Sequence, residues 1–414
     1  MRITRVVVLG LAGLALLTGC ALFSGQQQAA PPPPAEAVET LPTITPTLEP
    51  TSIPSEPPVL PTPSPTLAPL GMAGPGEILF VRMGQVWAIG PDGSGERPIT
   101  EFPSEPGIRD LAVSPDGRYL AFSVNSQQAV VTDLTQGQQV TMDEVTDGAV
   151  GSFVWSPAGD ALYYQKLVTD PEAAGPSGHV WKAAVPPGDV PVLQPVVETD
   201  PETTASLTPI AALDGGRLVV RELTGIGEEA ARVFFIYDPA TGERVSLPED
   251  YSLWDVSPDR SKALLFDLAE VTPGRQVEPL GLFMGELSPS EGLVNVLAVL
   301  PAEDTGVYRA GRFMPDSLGV IALYSDPTGP EFSLGFRTRV VLIRPDEGGV
   351  YRVMPLHIAE QTSDLAFCWH SDLGVVVQRW LDGSDTSEIW LLPLDGSPGT
   401  RLTTGEQPVV VGGQ

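Results

Sequence analysis

The chain has 414 residues, with 52 acidic against 23 basic side chains and a formal net charge of −29. A surface that acidic repels nucleic acid and anionic lipid headgroups, which excludes both as electrostatic partners. Two cysteines and 44 prolines raise two further questions: where a disulfide could form, and which stretch cannot fold.

At the N-terminus, Arg2 and Arg5 precede an apolar run from Val6 to Leu17, followed by Leu17-Thr18-Gly19-Cys20. Positive, then apolar, then small is the order of a signal peptide, and the run is shorter than the roughly 20 apolar residues of a helical membrane span. The tetrapeptide LTGC resembles the bacterial lipobox. The resemblance implies cleavage between Gly19 and Cys20, with palmitate-type acyl chains carried on Cys20. Each buried CH₂ contributes about 0.8 kcal/mol, so several acyl chains anchor a protein where a single short one does not. Residues 1–19 are therefore expected to be removed. The mature protein is expected outside the cytoplasm, lipid-anchored to the cell membrane or to an outer membrane if the host has one.

Residues 20–75 follow as a tether. From Pro31 to Pro75 the chain is dominated by Pro, Thr, Ser, Ala and Glu, with no Lys, Arg or aromatic residue. It cannot bury a core, and proline at this density favours polyproline II, a spacer of roughly 3.1 Å per residue. With Cys20 committed to lipid, Cys368 is the remaining thiol and no intrachain disulfide is possible. Its setting, Ala366-Phe367-Cys368-Trp369, reads as a small buried hydrophobe rather than a nucleophile.

Residues 76–414 are expected to form one domain built on an internal repeat. The first half of the unit is an apolar strand, a turn and a second apolar strand. The clearest copy is LAVSPDGRYLAFS at 111–123, followed by 153–165, 210–222, 254–267, 312–325 and 367–380. In the turn Pro presets φ, Asp or Ser bonds back to nearby backbone, and Gly accepts a positive φ. The second half is a hairpin with an Asp-, Gly- and Pro-rich turn, at 85–100, 129–142, 179–193, 233–247, 281–297, 340–354 and 388–403. Two halves make four antiparallel strands, one blade of a β-propeller.

Six first halves stand against seven second halves, and the unmatched one spans Ile78 to Thr100. An apolar strand at Gln407–Gly412 is left over at the other end. The expectation is an all-β propeller of seven four-stranded blades, closed by this C-terminal strand so that no sheet edge is exposed. The SPDG turn followed by a hairpin such as IWLLPLDGSPGTRLT resembles the WD40-like repeat of the periplasmic TolB propeller, and also the propellers of prolyl oligopeptidase and dipeptidyl peptidase IV relatives. The resemblance implies the fold; propellers serve as partner platforms, substrate gates and enzymes alike.

Little local chemistry is legible. The peptidase relatives carry a G-x-S-x-G nucleophile elbow that this sequence lacks. His179, His357 and His370 each have a strand-end or turn explanation. The acidic loops Asp92-Gly93-Ser94-Gly95-Glu96 and Asp382 to Glu388 read as solvated turns rather than Ca²⁺ loops. Trp87, Trp155, Trp181, Trp254, Trp369 and Trp390 recur at matching positions, as inter-blade packing requires. No catalytic residue, metal site or cofactor is expected. The leading expectation is a non-enzymatic module binding a protein or cell-envelope partner on a propeller face. The alternative is a hydrolase, lyase or glycan binder using residues of the central channel.

Overall fold

The computed structural model describes residues 72–103, 106–169, 177–186, 191–198, 205–224, 231–267, 281–300, 307–325, 338–347, 349–356, 362–370, 373–381 and 383–412. The expected signal peptide, Cys20, most of the tether, His357 and Asp382 lie outside these residues.

Every described element but one helical turn at Asp214–Gly216 is a β-strand. Strands β1 (Ile78–Arg82), β2 (Gln85–Ile89) and β3 (Arg97–Pro98) open the domain. They are followed by β4 (Ile108–Val113), β5 (Tyr119–Val124), β6 (Gln128–Asp133) and β7 (Gln138–Glu144). Next come β8 (Gly148–Trp155), β9 (Ala161–Val168), β10 (Ser177–Ala184) and β11 (Leu193–Val197), then β12 (Ala205–Ala212), β13 (Leu218–Thr224), β14 (Ala231–Tyr237) and β15 (Arg244–Ser246). The chain continues through β16 (Tyr251–Val256), β17 (Lys262–Asp267), β18 (Leu282–Ser288) and β19 (Gly292–Ala298). After these run β20 (Val307–Phe313), β21 (Val320–Ser325), β22 (Arg339–Pro345) and β23 (Tyr351–Pro355). The last elements are β24 (Thr362–His370), β25 (Gly374–Leu381), β26 (Ser387–Leu392), β27 (Thr400–Thr404) and β28 (Glu406–Val410).

Consecutive strands pair antiparallel in sets of four, as the two-part repeat predicts. The expected count of seven separate blades is corrected. Five four-stranded sheets stand apart, while β8–β11 and β12–β15 join in one eight-stranded sheet. They are joined by a parallel contact between Gly178 of β10 and Ser206 of β12. Glycine permits it, because a Cβ at 178 would lie 3.0 Å from the Ser206 Cα and 2.8 Å from a Leu167 methyl.

The leftover C-terminal strand does what was expected of it. β28 pairs antiparallel with β1, setting Ile78 opposite Val410 and Leu79 opposite Val409. The first sheet is thus built from both ends of the domain, and Val410 and Val411 are buried.

Burial follows position within each set. All six residues of β5 are buried, because the second strand of a set is covered on both faces. The outermost strands β7, β11 and β23 keep much of their length in water. Burying a side chain such as Phe122 contributes roughly 1.5–3 kcal/mol, and apolar clusters spanning neighbouring sets hold the sheets face to face.

The serine turn is stapled by its own chemistry. The Ser114 hydroxyl accepts the Tyr119 N–H at 2.8 Å and donates to Asp116 at 2.6 Å, while Gly117 takes φ +73°. The same pair of bonds recurs at Ser156 with Ala161 and Asp160, and at Ser257 with Lys262 and Asp259.

Candidate functional site

The first strand of each set lines the centre of a propeller and, apart from the Gly178–Ser206 contact of β12, has one unpaired edge. In this chain the innermost strands are β4, β8, β12, β16, β20, β24 and, for the first sheet, β28. Each carries a register interruption against its neighbour. An extra residue in one strand of a pair bends it and re-aims its side chain. Asp110, Ser152 and Gln407 sit at such interruptions with φ of +57°, +54° and +52°. That conformation is sparsely populated by non-glycine residues and persists only where the surroundings hold it.

Neighbouring bulges hold one another. Gln407 Oε1 accepts the Asp110 N–H at 3.1 Å, and the Asp110 carboxyl accepts the Ser152 N–H in turn. Gly151 leaves room for that carboxyl, since a Cβ there would lie 2.5 Å from Asp110 Oδ2. Farther round, Asp255 Oδ2 accepts the Phe313 N–H at 2.7 Å, tying β16 to β20. These bonds satisfy edge N–H groups that the inner strands would otherwise leave without an acceptor.

The belt also brings ionisable groups together. Burial pushes the Asp255 carboxyl up to about 6, against the opposing pull of the Arg312 guanidinium and of the Phe313 and Val256 N–H groups. Asp110 is likewise raised, by burial first, and drawn back by the Ser123 hydroxyl and Arg109. Arg312 is exposed and acts electrostatically on both Asp255 of β16 and Cys368 of β24, the innermost strands on either side of its own. A raised carboxyl beside a guanidinium can take a proton from a ligand whose negative charge the guanidinium then offsets.

The residues singled out in the sequence fall elsewhere. Cys368 is 7% exposed, and burial pushes its thiol up to about 12, so it is the neutral, inert side chain expected. His370 ends strand β24 rather than occupying a turn. It is buried, with Nε2 3.1 Å from the Gly76 carbonyl oxygen, and helps fasten the last sheet to the start of the domain. His179 lies within β10. Asp92 accepts bonds from the Ser94 N–H and hydroxyl, an Asx turn in solvent. Among the described residues, no three His, Cys, Asp or Glu side chains converge as metal ligands.

The tryptophans pack as expected: Trp155 stacks on Tyr119 of the preceding sheet, and its Nε1 donates to the Ala112 carbonyl at 3.0 Å. The sequence reading missed Asp110, Asp255, Arg312 and Gln407. Their only signal is a polar side chain interrupting an apolar strand before a turn.

No family model and no curated protein matches the chain significantly. Solved structures match in fold. The chain is similar to a prolyl endopeptidase (TM-score 0.55, 14% identity), covering 81% of itself and 50% of that chain. It is similar to the β-propeller domain of the trilobed protease from Pyrococcus furiosus (0.52, 14%), covering 77% and 86%. It is also similar to oligogalacturonate lyase from Vibrio parahaemolyticus (0.54, 12%), covering 80% and 86%. The protein is thus an all-β propeller, and it spans half the length of the prolyl endopeptidase it matches. The expectation of a non-enzyme is corrected here: the matching propellers belong to peptidases and a lyase, so this fold gives no ground for setting catalysis aside.

Proposed function

We propose that the protein is an enzyme of the hydrolase or lyase class that works from the innermost strands of its propeller, with a lyase acting on an acidic oligosaccharide as the specific form. The observation that carries this reading is Asp255, a carboxyl raised to about 6, within electrostatic reach of the exposed guanidinium of Arg312. A general base is most effective when it titrates near the working pH.

In such an elimination Asp255 takes the proton α to a uronate carboxylate. The electron pair of the broken C–H bond forms a C=C bond, and the C–O bond at the β carbon breaks. The leaving oxygen takes its proton from water, and Arg312 offsets the charge that builds on the uronate carboxylate. The similarity to oligogalacturonate lyase supports the choice of reaction.

The test is ultraviolet absorbance of unsaturated product when the full chain is incubated with oligogalacturonate and other uronate oligomers. Asp255→Asn should lower kcat on the order of 100-fold or more with little change in KM, and Arg312→Gln should lower kcat as well as raise KM. Absence of product with every uronate oligomer, or an undiminished Asp255→Asn variant, overturns the reading.

We also propose that acyl chains on Cys20 hold this propeller at the cell surface, supported by the ordered Arg-rich, apolar and LTGC segments. Cys20→Ala should leave the precursor uncleaved and free of incorporated palmitate label; a normally processed soluble product refutes the anchor.

A further inference from the structure

We infer that the face of the β12–β15 set carries a binding site for an oxyanion group, built on Arg221 and Arg232. Arg221 of β13 lies opposite Phe234 of β14, and Leu223 lies opposite Arg232. The two arginines are therefore diagonal neighbours on one face of the sheet, a spacing of roughly 7–8 Å between backbones that long side chains close easily. Both are half-buried. Burial first, and then the charge of Arg232, push the Arg221 guanidinium below its ordinary value.

Two desolvated like charges repel unless a third group neutralises them. Among the described residues neither arginine has a carboxylate partner. Eight others, from Arg82 to Arg401, are each salt-bridged to one in this strongly acidic chain.

The polar groups nearby point the same way. Arg221 Nη2 donates to Thr208 Oγ1 at 3.2 Å, and Gln165 Nε2 donates to the same oxygen at 2.9 Å. The buried Thr208 hydroxyl, accepting from Arg221, has its own proton left to give. The Ser206 hydroxyl lies on the same face, 2.9 Å from Gln165 Nε2, whose two protons are shared among it, the Thr208 hydroxyl and the Leu207 carbonyl at 2.8 Å. Two guanidinium forks and two hydroxyl protons, with no acidic acceptor of their own, form a donor set matched to a carboxylate or phosphate oxygen cluster. The site is separate from the Asp255 belt, so each reading stands or falls by itself.

The test is calorimetric titration of the full-length protein at low ionic strength with inorganic phosphate and, in a separate arm, with acetate. Saturable binding of either probe is expected, and the arm that binds identifies the oxyanion class. Arg221→Gln and Arg232→Gln should each weaken it at least tenfold, whereas Arg401→Gln should leave it unchanged. Arg221→Lys, which keeps the charge and loses the fork, should fall between. Should Arg221→Gln fail to fold, Arg232→Gln carries the test alone. Without ligand, Arg232→Gln should unfold at the wild-type temperature or above it, because a repulsion has been removed. No saturable binding in either arm, binding indifferent to both arginines, or a ligand-free Arg232→Gln variant several degrees less stable than wild type overturns the proposal.

Discussion

Asp364→Ala should be among the most damaging single substitutions in the domain. Asp364 and Arg379 face each other across β24 and β25, with Nε 2.7 Å from Oδ1 and Nη2 3.3 Å from Oδ2. The side chains are 4% and 1% exposed. Asp364 Oδ2 also accepts the Val340 N–H at 3.0 Å from the preceding sheet, so one carboxylate serves a buried cation and a buried edge donor. Removing it takes from the buried Arg379 the carboxylate that accepts from its Nε and Nη2, a loss of about 3–5 kcal/mol. The orphaned Val340 N–H, at about 1–3 kcal/mol by itself, pushes the total toward the upper end.

The assay is urea unfolding of the full chain followed by tryptophan fluorescence, with Asp364→Ala, Arg379→Met and the double variant compared. The double variant removes both charges and should recover a substantial part of the loss, because an apolar pair carries no desolvation penalty. A loss below about 1 kcal/mol in Asp364→Ala, or a double variant as unstable as the two singles added together, would refute the view that this pair is a desolvated lock.

Asp255 makes stability depend on pH. Its carboxyl is pushed up to about 6 in the fold from an ordinary value of 3.8, so the folded state holds the proton more tightly. The stability from this group is fully present below about 3.8 and is lost as pH rises through 6, by an amount bounded at about 3 kcal/mol. Asp255→Asn, a neutral near-isostere that still offers an oxygen to the Phe313 N–H, should flatten that segment of the profile and be at least as stable as wild type at pH 7. Identical slopes in the two proteins would show that Asp255 is not the group responsible. Gly178→Val should destabilise by about 1–3 kcal/mol through overpacking, with Gly107→Ser, where an added Cβ would meet only Asn125 Oδ1 at 3.8 Å, as a surface control; equal midpoints would refute the close-approach account of the eight-stranded sheet. Val410→Asp should cost several kcal/mol by placing an unpaired charge against β1, on the order of the buried-charge losses above, and limited proteolysis should then release the C-terminus first. Wild-type resistance would show that β28 does not close the first sheet.

The division between sequence and structure follows from the range of the interactions involved. Turn chemistry is local: Ser114, Asp116 and Gly117 fold a hairpin by bonding within a few residues, so LAVSPDGRYLAFS already specifies two strands. Repetition of that unit predicts four-stranded sheets, and the unmatched second half at 78–100 together with the leftover strand near 407–412 predicts their pairing; β1 and β28 bear this out. Apolar context was also sufficient for Cys368, whose buried thiol follows from its neighbours. The fusion of β8–β11 with β12–β15 was not legible, because it rests on Gly178 meeting Ser206 across an inter-sheet gap. Nor were the channel groups: Asp255 acquires its raised carboxyl from burial by strands far along the chain, and Arg312 becomes its neighbour only because β16 and β20 lie side by side. The Arg221–Arg232 pair was missed for the same reason, since only strand register reveals that they share a face. Local hydrogen bonding and periodicity write the blades into the sequence, whereas the encounter of polar side chains from different strands is decided by packing alone.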